Sequence, residues 1–344
     1  LPRPWDQQWS MRMQQIMAFE TDLLEYEDLF DGNQVVEAKV EFLKASARYE
    51  LETIETQGGA LNAIEYMKSR LVESNTDRLQ NIERNVTTVV GVNKFTKTET
   101  SPLVSGDGGI MIVDPAVEKD QIDRLNLWRS NRNEKLVNKA LLSLRQAALN
   151  GKNIMPHSIE AAKAGATTGE WAQEMRDIYG EYRGPTGVAT GISNKTDGLD
   201  ELRSAVDAVS DKLGERLKFL MGKPGLDGHS NGAEQIASRA RDCGMKIEYQ
   251  GIRLTPQELV ENVKSTKAHV VGLSILSGSH IPLVQDMINL LAEEGLTKIP
   301  IIVGGIIPEE DKIKLLEMGI SKVYTPKDFE MNTIMMDIVN LAEP

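Results

Sequence analysis

The sequence predicts an α/β protein: a doubly wound, five-stranded parallel sheet in the C-terminal part, preceded by a mostly helical region and a linker. Three observations predict it. Between residues 217 and 341, short apolar runs alternate with amphipathic segments. Those runs are apolar almost throughout, as strands covered on both faces must be. The residues before Gly180 carry helical rather than strand periodicity, and the stretch from Gly180 to Gly198 holds five glycines and Pro185.

The elements follow in order. Apolar positions Val36, Val40, Leu43, Ala47, Leu51 and Ile54 step by three or four and keep one helical face apolar. Asn33 is the N-cap and Gly58-Gly59 the stop. Met13, Ile16, Met17, Leu23 and Leu24 indicate an earlier helix, and the acidic run from Glu20 to Asp31 is a solvated face or a helix end. Thr87–Val92 reads as a short strand, and 93–113, with Gly106, Gly108 and Gly109, as irregular. Asp114-Pro115 opens a helical stretch that runs, with a break, to Leu149 and stops near Gly151. Thr167-Thr168-Gly169-Glu170 resembles a capping box for a helix to Tyr179. Residues 180–198 read as a linker, and Asp200–Leu213 as a lead-in helix. Strands are expected at Leu217–Met221, Lys246–Tyr249, Val270–Leu276, Ile299–Val303 and Lys322–Tyr324. Helices are expected at Asn231–Cys243, Pro256–Lys264, Ile281–Glu294, Pro308–Met318 and Phe329–Leu341. This order suits a flavodoxin-like (Rossmann-type) domain.

Composition narrows the function. The 344 residues suggest roughly two domains at about 150 residues each. With 39 basic and 51 acidic residues the net charge is −12, which argues against a nucleic-acid partner. A single cysteine, Cys243, excludes an internal disulfide and a Cys-based zinc cage, and fits a reducing cytoplasm. No apolar run reaches the length of a membrane span, so no membrane partner is expected. The start, Leu1-Pro2-Arg3-Pro4, lacks a signal-peptide pattern and an initiator Met, so a fragment or a processed product is expected.

Ligands of such sheets bind beyond the carboxyl ends of the strands, where the winding reverses. The loop after the first strand runs from Gly222 to Gly232 and includes Lys223, Asp227, Gly228 and His229; strand three ends in Ser274-Ile275-Leu276, and strand four in Gly304-Gly305. An Asp two residues before a His can fix its tautomer and leave the other ring nitrogen to bind a metal. Lys223 could hold that Asp ionised, giving a Lys–Asp–His relay, or be an ordinary surface lysine; Asp227 could also cap the helix at Asn231. A bare zinc site needs three or four protein ligands. His157, His269 and His280 lie in unrelated contexts and read as structural. One histidine at a roomy cleft suits a metal already held by a macrocycle. Cys243 reads as buried and inert, Trp5 and Trp9 as packing anchors, and Met11, Met13 and Met17 as core.

Asp227-x-His229-x-x-Gly232, then Ser274-x-Leu276, then Gly304-Gly305, resembles the cobalamin-binding signature of the base-off/His-on class. The resemblance implies His229 as the lower axial ligand of cobalt, tuned by Asp227 and Lys223. It implies a slot for the displaced nucleotide tail between the sheet and a flanking helix, lined by Ser274, Leu276, Gly304, Gly305, Tyr324 and Thr325, with Gly228 and Gly232 also among the cofactor-binding residues. The glycines would matter because a Cβ would block the tail. The whole chain resembles the C-terminal half of adenosylcobalamin-dependent acyl-CoA mutases. Gly58-Gly59-Ala60 and Val90-Gly91-Val92-Asn93-Lys94-Phe95 are similar to the methylmalonyl-CoA mutase family; Arg3-Pro4-Trp5-Asp6-Gln7-Gln8-Trp9 and Asp22-Leu23-Leu24-Glu25-Tyr26 are similar to its ethylmalonyl-CoA mutase branch.

That resemblance implies three parts: 1–113 as the C-terminal remnant of an acyl-CoA-binding TIM barrel, 114–198 as a helical connector and linker, and 199–344 as the cobalamin domain. It implies an isomerase that rearranges ethylmalonyl-CoA to methylsuccinyl-CoA or methylmalonyl-CoA to succinyl-CoA, with adenosylcobalamin as cofactor. No residue here matches the barrel's catalytic groups, so this chain alone is expected to be incomplete for turnover and to join mutase subunits in a homo- or hetero-oligomer. The alternatives are a corrinoid carrier for methyl transfer, which would place a small four-helix bundle before Gly180, and a flavodoxin-like binding or signalling domain without metal.

Overall fold

The computed structural model describes residues 4–97, 114–186, 199–328 and 330–344. The chain forms two compact units, one from Leu1–Glu27 and Ser101–Arg183, the other from Asp28–Thr100 and Gly184–Pro344. The first holds α1 (Pro4–Phe19), a 3-10 turn at Leu23–Glu25, α4 (Pro115–Asn131), α5 (Glu134–Leu149), α6 (Met155–Ala164) and α7 (Thr168–Tyr179). Val137, Leu141 and Leu144 of α5 pack on Ala161 of α6 and on Trp171 and Met175 of α7. Asp114 caps α4 through the N–H of Ala116, and Thr167 with Glu170 forms the expected capping box.

The second unit holds α2 (Gln34–Thr56) and α3 (Ile64–Glu83), then the α/β region. That region runs α8 (Leu199–Leu213), β1 (Lys218–Gly222), α9 (Asn231–Asp242), β2 (Lys246–Tyr249), α10 (Pro256–Thr266), β3 (Val270–Ile275), α11 (His280–Glu293), β4 (Ile301–Gly305), α12 (Glu309–Glu317), β5 (Lys322–Tyr324) and α13 (Met331–Leu341). All strand pairs are parallel, in the order β2-β1-β3-β4-β5, so the winding reverses between β1 and β3. Alternate side chains feed two cores. Phe219, Met221, Val270 and Ile302 face α8, α9 and α13; Leu220, Val271, Leu273 and Val303 face α10, α11 and α12. Helix α8 buries Leu199, Leu202, Val206 and Val209, the three-and-four spacing of one helical face.

Several expectations are corrected. Thr87–Val92 is a turn with one bridge, Val90 to Lys94, and not a strand. The cause is Asn93: its side chain accepts from the N–H of Val89 and donates to the carbonyls of Ile82 and Thr87, so the segment's polar groups are met locally. Helices α3 and α6 were not expected; α3 buries only Val72 and Ile82 and lacks a continuous apolar stripe. Strand β4 lies two residues further on than expected and takes in both glycines. Trp9, Met11, Met13 and Met17 are exposed rather than core, because among the described residues nothing covers that face of α1; α2 likewise has the expected cap at Asn33 but no buried side chain. The patch at Gly106, Gly108 and Gly109, linker residues 187–198, Phe329 and the Trp5 side chain lie outside the described residues.

The two glycines of β4 differ in why they are there. A Cβ on Gly305 would lie 1.9 Å from the carbonyl oxygen of Ile275 on β3, a clash with backbone that cannot move away. A Cβ on Gly304 would meet nothing within 4 Å. Gly305→Ala should therefore cost at least about 1–3 kcal/mol, whereas Gly304→Ala should leave stability equal or slightly higher, as replacing a strand glycine does by roughly 0.5–1 kcal/mol. Urea unfolding of the two variants checks this, and equal costs would contradict it.

Candidate functional site

The site is built where β1 hands over to its loop. The N–H of Gly225 donates to the carbonyl of Leu254 (2.9 Å), and the N–H of Leu254 donates to that of Lys223 (3.1 Å). This short parallel bridge ties the loop to the segment between β2 and α10. The Lys223 side chain is wholly buried. Its ammonium donates to Asp227 Oδ2 (3.0 Å), to the Ser274 carbonyl (3.0 Å) and to Ser274 Oγ (3.3 Å), so all three of its donors are used. The surface-lysine reading of Lys223 is thus excluded by its burial.

Asp227, 4% exposed at its side chain, is equally saturated. Its Oδ2 also accepts from the N–H of Leu276 (3.2 Å). Its Oδ1 accepts from the backbone N–H of His229 (3.0 Å) and from His229 Nδ1 (2.7 Å). A carboxylate can only accept, so Nδ1 carries a proton, and the tautomer this bond selects leaves the lone pair on Nε2. The His229 side chain is 79% exposed, and Nε2 has no partner among the described residues. Burial pushes the Asp227 carboxyl up, but the bonds from His229 and the Lys223 ammonium outweigh it and hold the group well below the usual carboxylate range. Burial pulls the Lys223 ammonium down, and Asp227 offsets part of that.

Behind this relay a row crosses the sheet. Ser274 is in register with Gly304, and Gly304 with Tyr324. By strand alternation these three share the face turned to α9 and α13. Gly304 leaves open space above it. The Tyr324 hydroxyl donates to Asp337 of α13 (2.9 Å); burial, then this bond, pushes that hydroxyl up. Thr325 lies just past β5 and is occupied locally, its N–H and hydroxyl both donating to Asp328. Gly228 lies beside the Arg253 guanidinium, and Gly232 sits in the first turn of α9 with nothing near its Cβ position. Leu276 is half-buried past the end of β3.

Two residues that sequence reasoning missed rim this edge: Leu226, 92% exposed, and Ile306, 62% exposed. Both are apolar residues in the loops after β1 and β4, and only their exposure marks them. The remaining histidines are engaged elsewhere. His157 Nδ1 pairs with Ser143 Oγ, His269 Nδ1 accepts from the N–H of Lys218, and buried His280 reaches Asp311 through Nε2. Burial pushes the Cys243 thiol up to about 11, which keeps it unreactive. Among the described residues no group of three or more His, Cys, Asp or Glu side chains could hold a bare metal ion, and no helix is long and apolar enough to cross a membrane.

A parallel 2-1-3-4-5 sheet with a polar, glycine-rich loop at its switch point defines the class: a doubly wound α/β domain, whose ligands bind at that edge. Comparison with known proteins specifies it further. Residues 217–326 match the model of the B12 binding domain, and residues 1–181 match that of methylmalonyl-CoA mutase. The chain belongs to the methylmalonyl-CoA mutase family and carries its B12 binding domain. Among curated relatives it is similar to ethylmalonyl-CoA mutase of Cereibacter sphaeroides, 63% identical over 343 residues (100% of this chain, 52% of the relative). It is 54% identical over 346 residues to ethylmalonyl-CoA mutase of Methylorubrum extorquens (100% and 50%). It is 30% identical over 332 residues to methylmalonyl-CoA mutase of Cereibacter sphaeroides (95% and 46%). The chain spans about half the length of the curated relatives it matches.

The buried ion pair makes a prediction about acid. Asp227→Ala strands the Lys223 ammonium and should cost about 3–5 kcal/mol at pH 7. Because the folded carboxyl titrates below its ordinary value of 3.8, its contribution is complete above that value and is lost as pH falls toward the folded one. Urea unfolding from pH 7 downward should show the gap between parent and variant constant until about pH 4 and shrinking below it. A gap that closes between pH 7 and pH 5 would contradict the assignment.

Proposed function

We propose that this chain is the cobalamin-holding part of a radical carbon-skeleton mutase and that His229 would supply the protein ligand to cobalt in base-off cobalamin. The observation that carries the reading is the Lys223–Asp227–His229 relay, which ends in an exposed, unpartnered Nε2. The residues suit the cofactor on two further points. Open space over Gly304, in a row with Ser274 and Tyr324, offers a slot for the nucleotide tail, which Gly228, Gly232, Leu276, Gly305 and Thr325 would border. Apolar Leu226 and Ile306, exposed in the loops after β1 and β4, would offer the macrocycle apolar surface.

Adenosylcobalamin, when bound, supplies a weak cobalt–carbon bond whose homolysis starts radical rearrangement. The chain's part is positioning. Asp227 fixes the imidazole tautomer and orientation and makes Nε2 a better donor. Lys223 keeps Asp227 ionised and anchors it to β3 through Ser274. The Asp337–Tyr324 bond fixes the far wall of the slot. By origin we assign 1–113 to the end of an acyl-CoA-binding barrel, 114–198 to a connector, and 199–344 to cobalamin. Identity favours ethylmalonyl-CoA, rearranged to methylsuccinyl-CoA, over methylmalonyl-CoA as the substrate of the whole protein. The groups that hold the acyl-CoA lie outside these 344 residues, in mutase sequence supplied by the same or another subunit, and the protein works in the cytoplasm.

Titration of the 344-residue chain with adenosylcobalamin, followed by absorption, tests the reading. The parent should give a base-off/His-on spectrum, and His229→Ala should lose it while melting at the parent's temperature. Asp227→Asn should weaken binding about 10–100-fold, the usual effect of losing the group behind a metal-bound histidine. Unchanged spectra for His229→Ala would overturn the assignment. Gly304→Leu, which fills the slot, should likewise lower affinity at least tenfold without loss of fold, and unchanged affinity would move the tail elsewhere.

A further inference from the structure

The helix that follows the His229 loop is unusual in what it buries. One stripe of α9, Ala233, Ala237 and Ala240, packs into the sheet core. The stripe toward α3 is polar yet also buried: Glu234, Gln235, Ser238 and Arg239. Burying a carboxylate is costly unless it is paired. Its partner is Lys68 of α3, 2.7 Å from Glu234 Oε1, while Glu234 Oε2 has no hydrogen-bond partner among the described residues. The same ammonium donates to Ser230 Oγ (3.2 Å). Ser230 stands at the N-cap of α9 but makes no side-chain cap bond there, its backbone lying in the right-handed helical region. The first turn of α9 is therefore held from α3 rather than by its own cap, at the residue next to His229.

The rest of the contact fixes register. Gln235 Nε2 donates to the Val72 carbonyl (2.9 Å), and Thr76 Oγ1 donates to Gln235 Oε1 (2.8 Å). Further along, Glu83 accepts from the N–H of Met331 (3.0 Å) and faces Arg239. An apolar seam tolerates small slips, whereas directional bonds one helical turn apart do not. Helix α3 lies in the part that matches the mutase model, and α9 in the part that matches the B12 binding domain.

We propose that Lys68, through Ser230 and Glu234, is a positioning residue for the loop that carries His229. The inference rests on the reading of His229 as the cobalt ligand. Lys68→Met alone would leave a buried carboxylate unpaired and lower the melting temperature. The decisive variant is Lys68→Met with Glu234→Leu, which replaces the pair by apolar groups of similar size and should keep the fold. Two readouts are taken on the 344-residue chain. Amide hydrogen exchange over residues 227–234 without cofactor should quicken at least tenfold, and hydroxocobalamin should bind about tenfold more weakly with a smaller His-on fraction, at an unchanged melting temperature. Unchanged exchange and an unchanged spectrum would overturn the proposal, as would a melting temperature well below the parent's, which would make the pair a structural prop. If the parent itself gives no His-on spectrum, the cobalamin reading fails, and the exchange result alone decides whether Lys68 positions the loop.

Discussion

The site depends on one buried ion pair. Lys223 and Asp227 sit four residues apart in the loop after β1, and each uses its full bonding capacity on the other, on the end of β3 and the residue just past it, and on His229. Burial gives the pair its directionality. In water the two charges would be worth little to each other; out of water, either one without the other would be untenable. The loop therefore has one arrangement that satisfies every charge, and in that arrangement the imidazole points one nitrogen outward.

The sheet contributes by being uneven. Most of it is packed on both faces, but the row Ser274, Gly304 and Tyr324 replaces bulk with a hydroxyl, a bare backbone and a phenol whose hydroxyl is tied to α13. Next to it Gly305 serves the opposite purpose, letting β3 and β4 approach where any side chain would strike a carbonyl. Two adjacent glycines thus do different jobs, one opening space and the other closing it. Parallel winding brings Ser274, Gly304 and Tyr324, twenty to fifty positions apart in the chain, to one edge.

Much of the α/β region was legible because its signals are local. Thr255-Pro256-Gln257-Glu258 announces α10 by capping chemistry, and apolar runs bounded by glycine announce the strands. The positions of Lys223, Asp227 and His229 were legible as a spacing, while the burial of Lys223 and its bonds to Ser274 come from a strand fifty residues away and leave no local trace. Three readings failed for physical reasons. Thr87–Val92 has strand composition, but Asn93 satisfies its backbone as a turn. Helix α3 lacks an apolar stripe because it docks on α9 through Lys68, Thr76 and the Val72 carbonyl, contacts that hydrophobic periodicity cannot register. Met11, Met13 and Met17 have the pattern of a core face, but what would bury it is not among the described residues.

The central claim is that a single protein nitrogen, Nε2 of His229, reaches cobalt. Electron paramagnetic resonance of the Co(II) form bound to the full chain tests it directly when the protein is prepared once with natural histidine and once with 15N-histidine. The cobalt lines should be split into triplets in the first sample and doublets in the second. Triplets in both, or no nitrogen splitting in either, would show that no histidine of this chain is the axial ligand.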